Sequence, residues 1–218
     1  MNIFIDLETH PGNKPNLNKA DMPVPGNYKK PETIEAYRNE NFDTYVEEQW
    51  HKQALNSMEG NIWAIGYAFD NNPAQCEVDT EYNMLEALDR KLHAIDYSVR
   101  REATWIGHNI KGFDLPWLFI KSAKYDLNVL KKSLPKGRYD KRIFDTMEQF
   151  NPWDFKTYVS LDKACEFFGI SGKLDCNYKS FYSSCTPDQM QMVHDYCKND
   201  VEITRELYKK LKWSYQPK

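Results

Sequence analysis

Apolar positions change period several times along the chain, and each change marks an element. Residues 2–7 open on Ile3, Phe4 and Ile5, a short strand. Residues 62–69 (IWAIGYAF) form a nearly continuous apolar run, the mark of a strand covered on both faces. Residues 75–79, 103–107 and 142–146 read as three shorter strands. Met84, Leu85, Leu88, Leu92 and Ile95 recur at helical spacing behind Thr80, an N-cap residue. Pro116 falls near the start of a further helix, where its missing N–H costs nothing. Ser160 caps a short helix through Phe168, and Gly169 ends it. The last helix has the clearest start, Thr186-Pro187-Asp188-Gln189, a capping box with Pro at the first helical position, and runs to about Lys212. Strands alternating with helices predict an α/β fold around a mixed sheet.

One stretch breaks the alternation. Residues 10–30 are polar, and Pro at 11, 15, 23 and 25 prevents regular structure throughout. A polar helix is predicted over 32–56, with Ile34, Tyr37, Tyr45, Val46 and Trp50. Residues 32–59 carry seven acids against Arg38 and Lys52, a local charge of −5. With few apolar residues for a core of its own, 10–59 reads as an insertion, not as a separate domain. A chain of 218 residues is then expected to form one domain, 1–218.

Composition narrows the function classes. No run of about 18 apolar residues is present, so no membrane span is expected. The start, MNIFIDLETH, lacks the basic and apolar regions of a signal peptide. Five cysteines with no C-x-x-C pair argue against a disulfide framework and a zinc ribbon, and fit a reducing, cytoplasmic setting. The net charge is −3, so a nucleic-acid partner must be held by a local patch or through metal ions.

The last helix contains an anomaly. At about 100° per residue, Val193, Cys197, Thr204, Leu207 and Leu211 all lie within about 60° of Asp200. Asp200 is thus centred on the face that meets the core, and Tyr196 projects from that face one turn earlier. A buried carboxylate needs a cationic partner, a proton or a metal. Asp6 and Glu8, two apart, share one side of the first strand. Asp114 lies in HNIKGFDLP (108–116), where a strand ends and a helix opens. Each has a simpler reading alone: Asp114 as a helix cap, Asn109 as a turn residue, Asp6 and Glu8 as a solvated strand end. Together, four carboxylates from three elements form a cluster that is stable only around cations. Oxygen-only ligands favour Mg²⁺ or Mn²⁺ over zinc, and two such ions stabilise both oxygens of a phosphoryl displacement.

FIDLET, N-x-x-x-F-D and Y-x-x-x-D, in this order, resemble the three motifs of the DEDDy 3′–5′ exonucleases, in the DnaQ-like branch of the RNase H-like fold. NIKGFDLPWL and YCKNDVEITREL are especially similar to the proofreading domains of family B DNA polymerases. The resemblance covers 1–9 and about 61–212. It implies an RNase H-like mixed sheet flanked by helices and a stand-alone exonuclease with two Mg²⁺ (or Mn²⁺) ions. The implied reaction releases nucleoside 5′-monophosphates from 3′ ends of single-stranded DNA. Asp6 would bridge both ions, Glu8 and Asp200 would complete the site of the attacking water, and Asp114 would help hold the second ion. Tyr196 would orient the water, since an unperturbed phenol with a pKa of about 10 is a poor base at neutral pH. Thr9, Asn109 and Phe113 match positions near the terminal nucleotide. The sister class places a His five residues before the last Asp; that position is Asp195 here, and His194 is one residue too early.

Other features read less sharply. Residues 111–142 carry nine bases and three acids, a charge of +6, either a track for a phosphate backbone or a solvated face. Trp117, Tyr125 and Tyr139 lie among them, Trp117 reading as core. The 10–59 insertion is acidic, so a protein partner or a wall over the substrate fits it better than a phosphate clamp. RNA remains a rival substrate, because nothing in the chain reads a 2′-hydroxyl. A non-catalytic nucleic-acid-binding module on the same fold is the competing class, although clustered anions do not help a pure phosphate binder.

Overall fold

The computed structural model describes residues 1–150, 158–170, 174 and 176–214. Five strands, β1 (Asn2–His10), β2 (Asn61–Phe69), β3 (Gln75–Glu77), β4 (Thr104–Gly107) and β5 (Ile143–Asp145), form one sheet in the order β3-β2-β1-β4-β5. β4 runs parallel to β1 and to β5, whereas β3 is antiparallel to β2, so the sheet is mixed. The helices are α1 (Pro31–Lys52), α2 (Glu81–His93), α3 (Tyr97–Arg101), α4 (Asp114–Lys124), α5 (Asn128–Ser133), α6 (Leu161–Phe168) and α7 (Pro187–Leu211).

Strand alternation divides the core between the two faces of the sheet. Ile3, Ile5 and Leu7 of β1, with Ile65, Tyr67 and Trp105, pack on Leu85 and Leu88 of α2, Trp117 and Leu118 of α4 and Leu130 of α5. Phe4, Ile106 and Phe144 face the other way, onto Ala164 and Cys165 of α6 and Val201, Ile203 and Leu207 of α7. This RNase H-like α/β arrangement is the one expected. Caps define its helices as the sequence implies. Thr80 and Ser160 accept hydrogen bonds from Asn83 N–H and Lys163 N–H, Gly169 ends α6 at φ +63°, and both halves of the Thr186–Gln189 capping box form.

Differences from the expectation are local. β1 runs three residues beyond Leu7, and α3 and α5, of five and six residues, lie in stretches whose pattern is too short to announce a helix. The chain divides into two compact units, Thr9–Asn61 and the remainder, Met1–Glu8 with Ile62–Lys218. Within the first, Trp50 and Ala54 of the α1 end are buried, Trp50 Nε1 donates to the Gly12 carbonyl at 2.8 Å, and Thr9 Oγ1 donates to the Ala54 carbonyl at 2.6 Å. Met22 is buried in the same unit, and the rings of Tyr28 and Tyr37 pack at 4.8 Å between centroids.

Two contacts in the second unit fix its helices on the sheet. Glu81, at the start of α2, accepts from Ile62 N–H at 2.8 Å and pairs with the buried Lys121 of α4 at 3.0 Å, joining β2, α2 and α4. Burial alone would raise the Glu81 pKa, but the bonds from Ile62 N–H, Lys121 and Tyr125 prevail and lower it. On the opposite face, α7 lies directly on β2 at Gly66. A Cβ there would come within 2.8 Å of the Cys197 carbonyl and of Val201 Cγ2. Only a residue without a side chain lets α7 approach this closely.

Gly66→Ala should therefore lift α7 from the sheet and destabilise the protein by about 1–3 kcal/mol, measured by urea unfolding. Gly26→Ala, where a Cβ meets nothing within 4 Å, should be close to neutral in the same assay.

Candidate active site

The site is built where β1 ends beneath α7. Because Ile3, Ile5 and Leu7 take one face of β1, Asp6 and Glu8 take the face of Phe4, which is covered by α7. From α7, Asp200 enters the same space, flanked along its helix by Cys197, Val201 and Thr204, all buried. Asp6, Glu8 and Asp200 each offer a carboxylate oxygen, and these oxygens lie within 4.8 Å of one another. Asp200 and Glu8 are 5% exposed, so little solvent screens their charge. Three hard oxygen donors at that separation suit a divalent cation such as Mg²⁺ or Mn²⁺ and not a thiolate-seeking metal.

α7 is tied to β1 here by a residue that carries no sequence signal of its own. The Cys197 thiol donates to the Asp6 carbonyl oxygen at 3.5 Å. Burial, the neighbouring Cys76 and the charges of Asp6 and Glu8 push that thiol well above its usual range, so it stays protonated as a donor. Tyr182 is a second unforeseen neighbour; burial and then the charge of Glu8 push its phenol up to about 12. Tyr196 stands one turn before Asp200 on α7 and is half-buried.

Asp114 is not one of the three gathered carboxylates. It is the first residue of α4, 2% exposed, and its Oδ1 accepts from Leu7 N–H at 3.0 Å, on the backbone between Asp6 and Glu8. It thus meets the β1 backbone between two members of the cluster. Burial, helped by the charge of Asp145, raises its pKa to about 7, against the hydrogen bonds it accepts.

Asp145 is a residue that the motifs missed. It ends β5, is 1% exposed, and accepts from Asn109 N–H at 2.9 Å, Lys111 N–H at 3.1 Å and Met147 N–H at 3.1 Å. These bonds fix the turn that delivers Asp114. Asn109 sits at φ +61°, a conformation that asparagine tolerates better than most residues, and its carbonyl accepts from Gly112 N–H and Phe113 N–H, both at 3.0 Å. Gly112 leaves room for the Asn109 side chain, since a Cβ would fall 2.4 Å from Asn109 Oδ1. Phe113 is half-buried against Trp117, with ring centroids 5.9 Å apart. No sequence spacing announces Asp145; only the parallel pairing of β4 with β5 brings it to this turn.

The buried acid gives a pH signature. The Asp114 pKa is about 7 in the fold against 3.8 for the ordinary carboxyl, so the native state holds the proton more tightly. Its contribution to stability is complete below 3.8 and is lost as pH rises through about 7. Metal-free protein should thus lose stability over that window, and Asp114→Asn should flatten the slope, measured by urea unfolding at stepped pH. Asp145→Ala should cost about 1–3 kcal/mol by stranding backbone donors, read from the same curves at one pH.

A family model described as "Predicted 3'-5' exonuclease related to the exonuclease domain of PolB" matches residues 79–215. The match includes Asn109, Phe113, Asp114, Tyr196 and Asp200, and begins after the strand that carries Asp6 and Glu8. No curated protein matches the chain. With well over half its length matched, and an acidic cluster beneath the helix of Asp200, the chain belongs to the family of predicted 3′–5′ exonucleases related to the exonuclease domain of PolB.

Proposed function

We propose that the protein removes nucleotides one at a time from the 3′ end of single-stranded DNA, in the manner of the tyrosine class of these exonucleases. The observation that carries this reading is the meeting of Asp6, Glu8 and Asp200 oxygens within 4.8 Å in a chain of this family. In each cycle, water adds to the terminal phosphorus and the bond from phosphorus to the preceding 3′ oxygen breaks. The products are a nucleoside 5′-monophosphate and a strand one unit shorter with a free 3′-hydroxyl. Two Mg²⁺ or Mn²⁺ ions, when bound, would supply charge stabilisation for the attacking and leaving oxygens.

The residues divide that work. Asp6, Glu8 and Asp200 would hold the first ion, and Asp114 would help hold the second. Tyr196 orients the water by a hydrogen bond from its hydroxyl. Asn109 and Phe113, on the turn tied to Asp145, meet the terminal nucleotide; Thr9 belongs to the same reading, although its hydroxyl is committed to the Ala54 carbonyl. Residues 10–59 are an acidic insertion that carries a protein-partner surface and no catalytic group.

A 5′-labelled single-stranded DNA oligonucleotide should give a ladder shortening from its 3′ end with Mg²⁺ and none after chelation. Asp200→Asn should slow the reaction on the order of a thousandfold, the loss of several kcal/mol of charge stabilisation. Binding of the oligonucleotide without shortening in either Mg²⁺ or Mn²⁺ would instead establish a binding module, and a labelled RNA run in parallel decides the sugar. Tyr196→Phe should lower kcat about tenfold, the worth of one well-placed hydrogen bond, with an unchanged unfolding midpoint. A full rate in that variant would remove the tyrosine from the chemistry.

A further inference from the structure

The face of α4 turned away from Asp114 borders a groove that the catalytic reading does not use. Pro116 and Phe119 of α4 and Pro135 of the loop before β5 line it, with Lys111, Lys136 and Arg138 among its walls. Its volume is about 290 Å³, close to the lower bound of about 300 Å³ for small-ligand sites. That is room for one planar ring system and not for a folded partner. Phe119 is 52% exposed, unusual for a phenylalanine on a helix whose Trp117 and Leu118 are fully in the core.

The charge around the groove has a sign. Lys111 and Arg138 converge on one carboxylate, Glu148, at 2.5 and 2.8 Å. With Lys136, three bases stand against Glu148 and the buried Asp145, which accepts from Lys111 N–H, leaving a surplus of one positive charge beside an open aromatic ring. Asp140 is paired with Arg142 at 2.9 Å. An exposed aromatic ring bordered by a surplus of positive charge matches a nucleobase and its phosphates, because every base has a face to stack and a phosphate to neutralise. A protein segment of acidic character would use the lysines but has no comparable use for the ring.

We propose that this groove is a subsite for single-stranded nucleic acid, binding a nucleotide upstream of the 3′ end, its base on Phe119 and its phosphates beside Lys136 and Arg138. The proposal rests on the exonuclease reading for the direction of the strand. Lys111 and Leu115 place the groove within one helical turn of Asp114 along the chain. Phe119 lies about 140° around α4 from Asp114, five residues on at about 100° each. A strand joining the two therefore passes over the N-terminal turn of α4.

The test uses fluorescent single-stranded oligonucleotides of increasing length, from dinucleotide to dodecamer, in DNA and RNA forms. Binding is read by anisotropy with Ca²⁺ in place of Mg²⁺, and hydrolysis separately with Mg²⁺. Wild type should gain affinity with length, and Phe119→Ala and Lys136→Glu should each weaken dodecamer binding about tenfold. In both variants KM should rise for the dodecamer with kcat unchanged, and dinucleotide hydrolysis should stay at the wild-type rate. Gly137→Trp gives an independent check, because a Cβ there meets nothing within 4 Å and the ring can fill the groove without disturbing the fold. It should reproduce the loss for long strands alone. If all three variants bind the dodecamer as wild type does, the subsite does not exist, whatever the catalytic result. If no strand is shortened but the length-dependent binding is lost in the variants, the subsite stands and the exonuclease reading falls.

Discussion

Three carboxylates held together against their own repulsion are the constraint on which the rest of the structure turns. Two unit charges about 5 Å apart repel by about 3 kcal/mol at an effective dielectric of 20, and Asp6, Glu8 and Asp200 have oxygens within 4.8 Å. The fold resists this with packing. β1 lies between β2 and β4, so the strand that carries Asp6 and Glu8 is held inside the sheet. α7 buries Val201, Ile203 and Leu207 on the sheet and is pressed down at Gly66, which prevents Asp200 from withdrawing. A cation bound among them converts this cost into affinity, because the donors need no rearrangement to receive it.

The second acidic pair works by a different principle. Asp114 and Asp145 are almost wholly buried on the α4 side of β1, and burial raises both. Asp145 is compensated by three backbone N–H groups and acts as a fastener for the 109–113 turn. Asp114 has the Leu7 N–H and a charge that is easily neutralised by a proton. The turn is therefore fastened by its hydrogen bonds while the Asp114 carboxylate remains able to change state, and a nearby divalent ion would favour the ionised form. One acid orders the backbone so that the other is correctly placed.

Much of this was legible in the chain because two periodicities are strict. Alternation in FIDLE puts Asp6 and Glu8 on the face opposite Ile5 and Leu7, and the helical projection puts Asp200 at the centre of a buried stripe; both follow from a few dihedral angles. The Thr186 box and the Gly169 stop were equally local and equally readable. What escaped was non-local. Asp145 looks like any acid at a strand end until β5 is paired with β4, and Cys197 looks like a small core residue until β1 is set beneath it. The short helices α3 and α5 bury too few residues to leave a periodic trace. In the 9–61 segment, poor in apolar residues, the hydrogen bonds from Trp50 and Thr9 to the Gly12 and Ala54 carbonyls are of a kind that no hydropathy pattern records.

The basic stretch 111–142 shows why charge counts along a sequence overstate binding surfaces. Of its cations, Lys121 is buried against Glu81, Lys124 pairs with the same carboxylate, and Arg142 is bound to Asp140 and to the carbonyls of Arg101, Ser133 and Leu134. Lys121 and Arg142 are withdrawn from phosphate by burial and pairing, whereas Lys124 keeps half of its side chain in solvent. What remains near the groove is a small surplus beside an exposed ring, on a chain whose net charge is −3. Such a surface cannot hold a polyanion by long-range attraction alone. On the proposed reading, stacking and a metal-filled acidic cluster would act on the same strand at once, each local contact raising the effective concentration of the strand at the other.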